Sequence, residues 1–195
     1  MRRARPGDVA PIAASLARAF AHDPVACYLF PAAARREASL RRFFALQLRH
    51  HYLPRGEVFT TAERDAAALW MPPSAAPPDL ARQLADVLLL APVLRGRLLA
   101  ARQLARLLAA HHPEARHYYL GTLGTDPRRQ GEGRGSALLQ PVLEACDRSG
   151  TEAYLECSRA GTVPFYVRHG FRVTAQVTAP AGGPTLWLMA RRPRA

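Results

Sequence analysis

The chain contains no lysine: every one of the 27 basic residues counted among its 195 positions is an arginine. That absence excludes one phosphate-binding device, since a P-loop closes on Gly-Lys-Ser or Gly-Lys-Thr. Cysteine is scarce. Cys27, Cys146 and Cys157 are the three present, and none stands in a Cys-x-x-Cys spacing, so neither a zinc site nor a disulfide framework is indicated. A reducing cytoplasm is the expected compartment, and no metal is expected. Long apolar runs are missing too. The longest, from Val25 to Ala34, falls far short of the ~20 residues that cross a bilayer. The basic start Met1 to Arg5 leads into Pro6, Gly7 and Asp8, which makes a poor signal peptide, and a soluble protein is expected.

Acidic residues number 15, which leaves a formal net charge of +12. Such a charge suits a polyanionic partner in principle. The arginines are scattered through the chain, however, and neither nucleic acid nor a membrane is expected as a partner. With 49% hydrophobic residues the chain can bury one substantial core, and a single domain over residues 1–195 is the simplest organisation.

What is present is a glycine-rich turn from Gln130 to Gly135, between a strand-like segment, Tyr118 to Leu123, and a helix-like run that starts at Ser136. A strand that feeds a tight turn at a helix start aims unpaired backbone N–H groups and the positive end of the helix dipole at one point. An anion can sit there without any lysine. A dinucleotide fingerprint would need a third glycine at 136 or 138, where the chain has Ser136 and Leu138. The pattern that remains is Gln-x-x-Gly-x-Gly after a strand.

In this pattern the sequence resembles the acyl-CoA-binding motif of the GNAT superfamily of N-acetyltransferases. The segments Ala19 to Pro24, Leu69 to Pro73, Leu155 to Ser158, Pro164 to Phe171 and Trp187 to Met189 follow the order of puromycin N-acetyltransferase and its relatives. The resemblance implies an α/β fold with a mixed, mostly antiparallel central sheet flanked by helices on both faces. It also implies acetyl-CoA as the acyl donor. Arg129, Gln130, Gly131, Glu132, Gly133, Arg134, Gly135 and Ser136 would then surround the pyrophosphate, with Thr162 and Phe165 nearby. Leu123, Gly124 and Thr125 would line the pantetheine arm, with a backbone N–H of that strand end as a possible oxyanion donor. Gly124 is also an ordinary residue for a strand end, and loop arginines are ordinarily solvated.

Acetyl transfer to an amine needs a neutral amine, a polarised carbonyl and a proton for the departing thiolate. The resemblance places the general acid at Tyr166, whose alternative role is packing beside Phe165. Glu156 ends the strand Ala153 to Cys157 and should lie near the cleft, so it is the candidate base, directly or through water; a structural salt bridge with an arginine is the competing role. His22, Asp23 and Glu114 are secondary candidates for acceptor recognition. Trp70 fits core or pocket wall equally. Two positions depart from the family pattern: Glu132 puts a carboxylate beside phosphates, and Thr162 stands where relatives often carry asparagine.

The rest of the pattern reads as a helix capped by Asp8 over residues 9–21, a helix over 36–53, and strands over 57–61 and 66–71. A leucine-rich segment over 79–110 reads as one or two helices. Then follow a strand over 117–124, a helix over 134–148, a strand over 152–157, a short helix over 162–168, and strands over 171–177 and 185–191. The expected function is transfer of an acetyl group to a primary amine of a small molecule, antibiotics and natural products included, by direct attack in a ternary complex. The alternatives are a longer acyl group, a protein amine, or a CoA-binding regulator without catalysis. A monomer and a homodimer are both compatible with the sequence.

Overall fold

The computed structural model describes residues 1–74, 90–94 and 96–194. Its strands are β1 (Arg2–Arg3), β2 (Glu57–Thr60), β3 (Ala66–Met71), β4 (His117–Thr125), β5 (Glu152–Cys157), β6 (Arg172–Thr178) and β7 (Thr185–Arg191). They form one seven-stranded sheet in the order β1-β2-β3-β4-β5-β7-β6. Every pairing is antiparallel except that of β4 with β5. The mixed, mostly antiparallel sheet expected from the resemblance is therefore present.

Helices cover both faces. On one side lie α1 (Val9–Ala19), α2 (Pro24–Leu29), α3 (Ala33–Gln47) and α4 (Leu98–His111); on the other lie α5 (Arg134–Ser149) and α6 (Val163–Arg168). Strand β3 shows why its sequence is almost continuously apolar. Ala67 and Leu69 face the cluster of α1 and α3, whereas Ala66, Ala68 and Trp70 face the cluster of α5. A strand buried on both faces has no polar side to alternate with. Trp70 is fully buried, so it belongs to the core. Along α5, Leu138, Leu139, Val142, Leu143 and Cys146 recur at helical spacing and form its buried stripe.

One irregularity opens the sheet. Leu69 pairs with Thr122 and Trp70 with Leu120, which leaves Gly121 as the extra residue of a bulge in β4. The parallel pairing of β4 with β5 runs from His117 opposite Glu152 to Leu120 opposite Leu155 and stops there. Beyond it the two strands run on unpaired to Thr125 and Cys157, as a fork. Gly121 has no side chain for a reason that the fold makes plain. A Cβ there would stand 2.0 Å from the Tyr52 hydroxyl. Tyr52 arrives by a second irregularity, a π-helical turn over Leu48–Tyr52 that joins α3 to the helical turn Leu53–Arg55.

Several details differ from the sequence-based expectations. Asp8 precedes α1 but makes no side-chain cap. Its carboxylate instead accepts both guanidinium N–H groups of Arg2, at 2.7 and 2.8 Å, and the Arg5 amide at 2.8 Å. A bidentate charged donor outcompetes a neutral amide for the same oxygens. Strand β1 and helix α2 were not expected; the first has only two residues, and the second hides in an apolar run that shows no helical period. Of the leucine-rich segment, residues 79–89 lie outside the described residues, and helix α4 begins only after Gly96, whose φ of +84° breaks the chain direction. Far from the fork, Arg191 of β7 binds Asp147 of α5 through two hydrogen bonds of 2.7 and 2.8 Å, and this hydrogen-bonded guanidinium pulls the Asp147 carboxyl down to about 2.

Candidate functional site

The fork between β4 and β5 is the floor of a cleft of about 150 Å³. Leu123, Gly124 and Thr125 line it from β4, Glu156 and Cys157 from β5, and Thr162 and Tyr166 from the start of α6. Gln130 closes one end, where its side-chain amide donates to the Thr125 carbonyl at 3.1 Å. The glycine turn follows at once. Gly131 and Gly133 adopt φ of +83° and +74°, in the left-handed region where a Cβ is strained, and Gly133 is the N-cap of α5. No side chain caps this helix and no acidic residue lies in its first turn. Its leading amides are thus available to an anion.

Glu132 is held by arginines beside that helix start. Its carboxylate accepts Nε of Arg134 at 3.0 Å and lies 3.3 Å from Arg129, with 42% of the side chain exposed. Solvent and two cations neutralise it. Both arginines also bind carboxylates across the loop, Arg134 at 2.6 Å from Asp65 and 3.2 Å from Glu63, and Arg129 at 3.4 Å from Asp65. They brace the turn against the β2–β3 connection. Gly135 sits against Phe165, where a Cβ would approach the ring to 3.3 Å. Phe165 in turn packs edge-on against Tyr166 at 5.2 Å, so the turn, Phe165 and Tyr166 form one contact chain.

Gly124 behaves differently from a ligand-clearance glycine. A Cβ there would stand 2.7 Å from Leu16 and 2.9 Å from Phe20, so α1 fills the space. Close helix–strand packing accounts for the glycine. Thr162 donates its hydroxyl hydrogen to the Arg159 carbonyl at 2.8 Å and lies 2.9 Å from the Cys157 sulfur, so its donor is already engaged. The Tyr166 pKa is raised by burial first, then by Cys157 and Asp23, and the phenol keeps its proton through the neutral range.

A second cavity, of about 370 Å³, lies on the α1–α3 side of the fork. It shares Phe20, Asp23, Gly121, Thr122, Glu156 and Ser158 with the first. Phe30, Phe43, Phe44, Leu29, Leu40 and Leu186 supply its apolar wall, and the charged residues lining it are Asp23 and Glu156. Asp23 is buried; it caps α2 by accepting the Val25 and Ala26 amides at 2.9 and 3.1 Å and also accepts the Ser158 hydroxyl. Glu156 is 7% exposed and accepts the Tyr119 hydroxyl at 2.7 Å. Burial first, and the Glu156 charge second, raise the pKa values of Tyr52, Tyr119 and Tyr154. Those phenols therefore stay protonated around one carboxylate, with Tyr119 donating to it. A larger groove of about 830 Å³ borders β6 and β7 but includes neither the glycine turn nor Glu156.

The structure thus brings Glu156, Tyr166, Leu123, Gly124, Thr125, Gln130 and Thr162 to one cleft, with the residues from Gly131 to Ser136 at its end. His22 and Glu114 do not line it. Sequence reasoning missed Gly121, Tyr52, Tyr119 and Ser158. A glycine inside a strand signals a bulge and could have flagged Gly121; the other three carry no local signal.

Residues 85–171 match the model of the Acetyltransferase (GNAT) family. A solved structure described as histone acetyltransferase HPA2 and related acetyltransferase, from Corynebacterium glutamicum, is 25% identical and aligns over 100% of this chain and 96% of its own with a TM-score of 0.70. Arylalkylamine N-acetyltransferase 2 from Aedes aegypti aligns over 99% and 98% with a TM-score of 0.61 at 12% identity, a likeness of fold. Among curated proteins, an uncharacterized N-acetyltransferase from Schizosaccharomyces pombe is 35% identical over 54 residues, 28% of this chain and 22% of that protein. The chain matches about a fifth of that relative's length. The architecture is the GNAT fold, and the family model together with the Corynebacterium glutamicum structure supports the GNAT acetyltransferase superfamily.

Proposed function

We propose that this chain is a cytoplasmic, acetyl-CoA-dependent N-acetyltransferase, one domain over residues 1–195, that acetylates a primary amine on a small molecule with an apolar, aromatic body. The observation that carries the reading is that two cavities of different character share a wall holding two carboxylates, Asp23 and Glu156. The narrow one continues to an uncapped helix start, and the wide one is walled by phenylalanines. Cys27, Cys146 and Cys157 are all unpaired, in keeping with a reducing compartment.

Acetyl-CoA supplies a thioester, and the site suits it. The amides of residues 131–136 would hold its pyrophosphate at the positive end of α5, with Arg129 and Arg134 bracing the turn and pairing with Glu132. Leu123, Gly124, Thr125, Gln130 and Thr162 would flank the arm along the cleft, with Phe165 packed behind Gly135. The acceptor enters as an ammonium ion, drawn to the carboxylates of Asp23 and Glu156 while its body packs on the aromatic wall. Glu156 takes the proton that frees the nitrogen lone pair. Tyr166 lines the same cleft from the other face of the fork and gives its hydrogen to the sulfur as it leaves. The shared wall of the two cavities supports direct attack within a ternary complex, because it lets donor and acceptor be held at once.

The resemblance to puromycin N-acetyltransferase relatives fits such an acceptor, because an aromatic amine antibiotic combines one ammonium group with an apolar body. Antibiotic resistance is the physiological role that this implies. The experiment is release of free CoA from acetyl-CoA, measured against a panel of arylalkylamines, aminoglycosides, polyamines and lysine peptides. Turnover is expected on arylalkylamines above the other classes. Preference for lysine peptides would favour a protein amine, and tight CoA binding without release on any amine would favour a regulatory protein.

A further inference from the structure

The second carboxylate oxygen of Glu156 faces a pair of histidines. Oε2 accepts the Tyr119 hydroxyl, while Oε1 lies 3.7 Å from Nδ1 of His112. On its far side His112 places Nε2 at 3.1 Å from Nε2 of His117, and His117 Nδ1 lies 2.7 Å from the Ala115 carbonyl. His112 follows the end of α4 and His117 opens β4. The rings touch at 4.7 Å between centroids and stand edge-on to the buried Tyr154.

This geometry fixes the tautomers. A carbonyl oxygen only accepts, so Nδ1 of neutral His117 carries the hydrogen and its Nε2 is a bare acceptor. His112 must then donate from Nε2, which leaves a lone pair on its Nδ1. That lone pair lies on the atom 3.7 Å from Glu156 Oε1 and can accept a hydrogen once Glu156 is protonated. We propose that His112 and His117 carry the proton that Glu156 takes from the acceptor amine out to solvent. The proposal rests on the reading of Glu156 as the base. Once the 3.7 Å gap closes to hydrogen-bond distance, protonated Glu156 passes its hydrogen to Nδ1 of His112; His112 passes its Nε2 hydrogen to Nε2 of His117, and the resulting imidazolium gives that hydrogen to water. Exchange at the exposed edges of the rings resets the pair.

The path ends in an open cavity of about 550 Å³, which His112 and His117 line together with Tyr52 and Tyr119. The charged and titratable groups around the pair are Glu156 and Glu152 from β5, Glu114 and Arg116 from the α4–β4 connection, and His51 and Arg55 from the segment after α3. Tyr52, Tyr119 and Tyr154 complete the surroundings, held neutral. Burial is the main influence that holds the His117 pKa below the ordinary histidine value, so a proton that reaches it is released rather than retained.

Histidine side-chain nitrogen spectra read the tautomers of the whole chain without any turnover. The expected result is an Nδ1–H form for His117 and an Nε2–H form for His112, with Glu156→Gln displacing the His112 nitrogen signals. Reversed tautomers, or His112 nitrogen signals indifferent to Glu156→Gln, would overturn the proposal even if no amine is ever acetylated. On an acetylated amine, His112→Ala should lower kcat about tenfold, less than loss of the base itself, with little change in KM. Added imidazole should restore it, and kcat of the variant should rise with buffer concentration. A loss that neither imidazole nor buffer relieves would assign His112 a packing role and overturn the relay. Absence of CoA release by the unaltered chain would instead count against the acetyltransferase reading, with the spectra still deciding the relay.

Discussion

The two arms of the fork are built by opposite means: the glycine turn after β4 presents backbone amides at an uncapped helix start, whereas Glu156, Tyr119 and Tyr52 gather side chains from three distant segments around an aromatic cavity. The first arm depends on conformation and is indifferent to most side chains. The second depends on side chains and on a bulge that makes room for them. A substitution should therefore affect donor or acceptor handling according to the arm on which it falls, and seldom both.

Glu156→Gln strikes the side-chain arm hardest. It should lower kcat about 10²- to 10³-fold and leave KM for acetyl-CoA nearly unchanged, as steady-state CoA release would show. Equal damage to both would join the arms into one unit. Gly121→Ala should destabilise the fold by about 1–3 kcal/mol in urea unfolding, because its Cβ must push the Tyr52 hydroxyl from 2.0 Å. Combining it with Tyr52→Phe should recover part of that loss, and strictly additive costs would mean that the contact is not what keeps residue 121 a glycine.

On the backbone arm, Gly133→Val should cost about 1–2 kcal/mol, since the residue holds φ +74° although nothing stands within 4 Å of its Cβ position. It should raise KM for acetyl-CoA and spare KM for the amine; the reverse split would place the donor elsewhere. The smallest effect is expected from Asp147→Asn, outside both arms. The Asp147 carboxyl is depressed to about 2, chiefly by its hydrogen bonds from Arg191, so its contribution is present above the ordinary carboxylate range near pH 4 and is lost as pH falls toward 2. At a partly exposed group this amounts to about 1 kcal/mol. The variant should be less stable than the parent at pH 7 and equal to it near pH 2, with kinetics unchanged.

The contrast also explains what could be read in the sequence. The turn from Gln130 to Gly135 is contiguous, its glycines mark left-handed positions, and the strand and helix on either side announce themselves by period. Most strands and helices fell within a few residues of expectation for the same reason. The aromatic cavity is different: Phe20, Phe44, Tyr52, Tyr119 and Glu156 span more than half of the chain, and no local rule joins them. Tyr52 points inward only because a helix loosens into a π turn at Leu48. Asp8 shows a subtler failure, because the sequence offers a cap where Arg2 supplies a stronger partner. Glu132, the side chain least suited to a phosphate site, is reconciled by Arg129 and Arg134, one of them only two positions away.

A crystal structure of the chain with acetyl-CoA tests the division between the arms most directly. The account predicts the pyrophosphate on the amides of residues 131–136, Glu132 still paired with Arg129 and Arg134, and the thioester carbon in the fork where the cleft opens onto the aromatic cavity at Glu156. Pyrophosphate bound away from that turn, or a thioester directed into the groove beside β6, would contradict it.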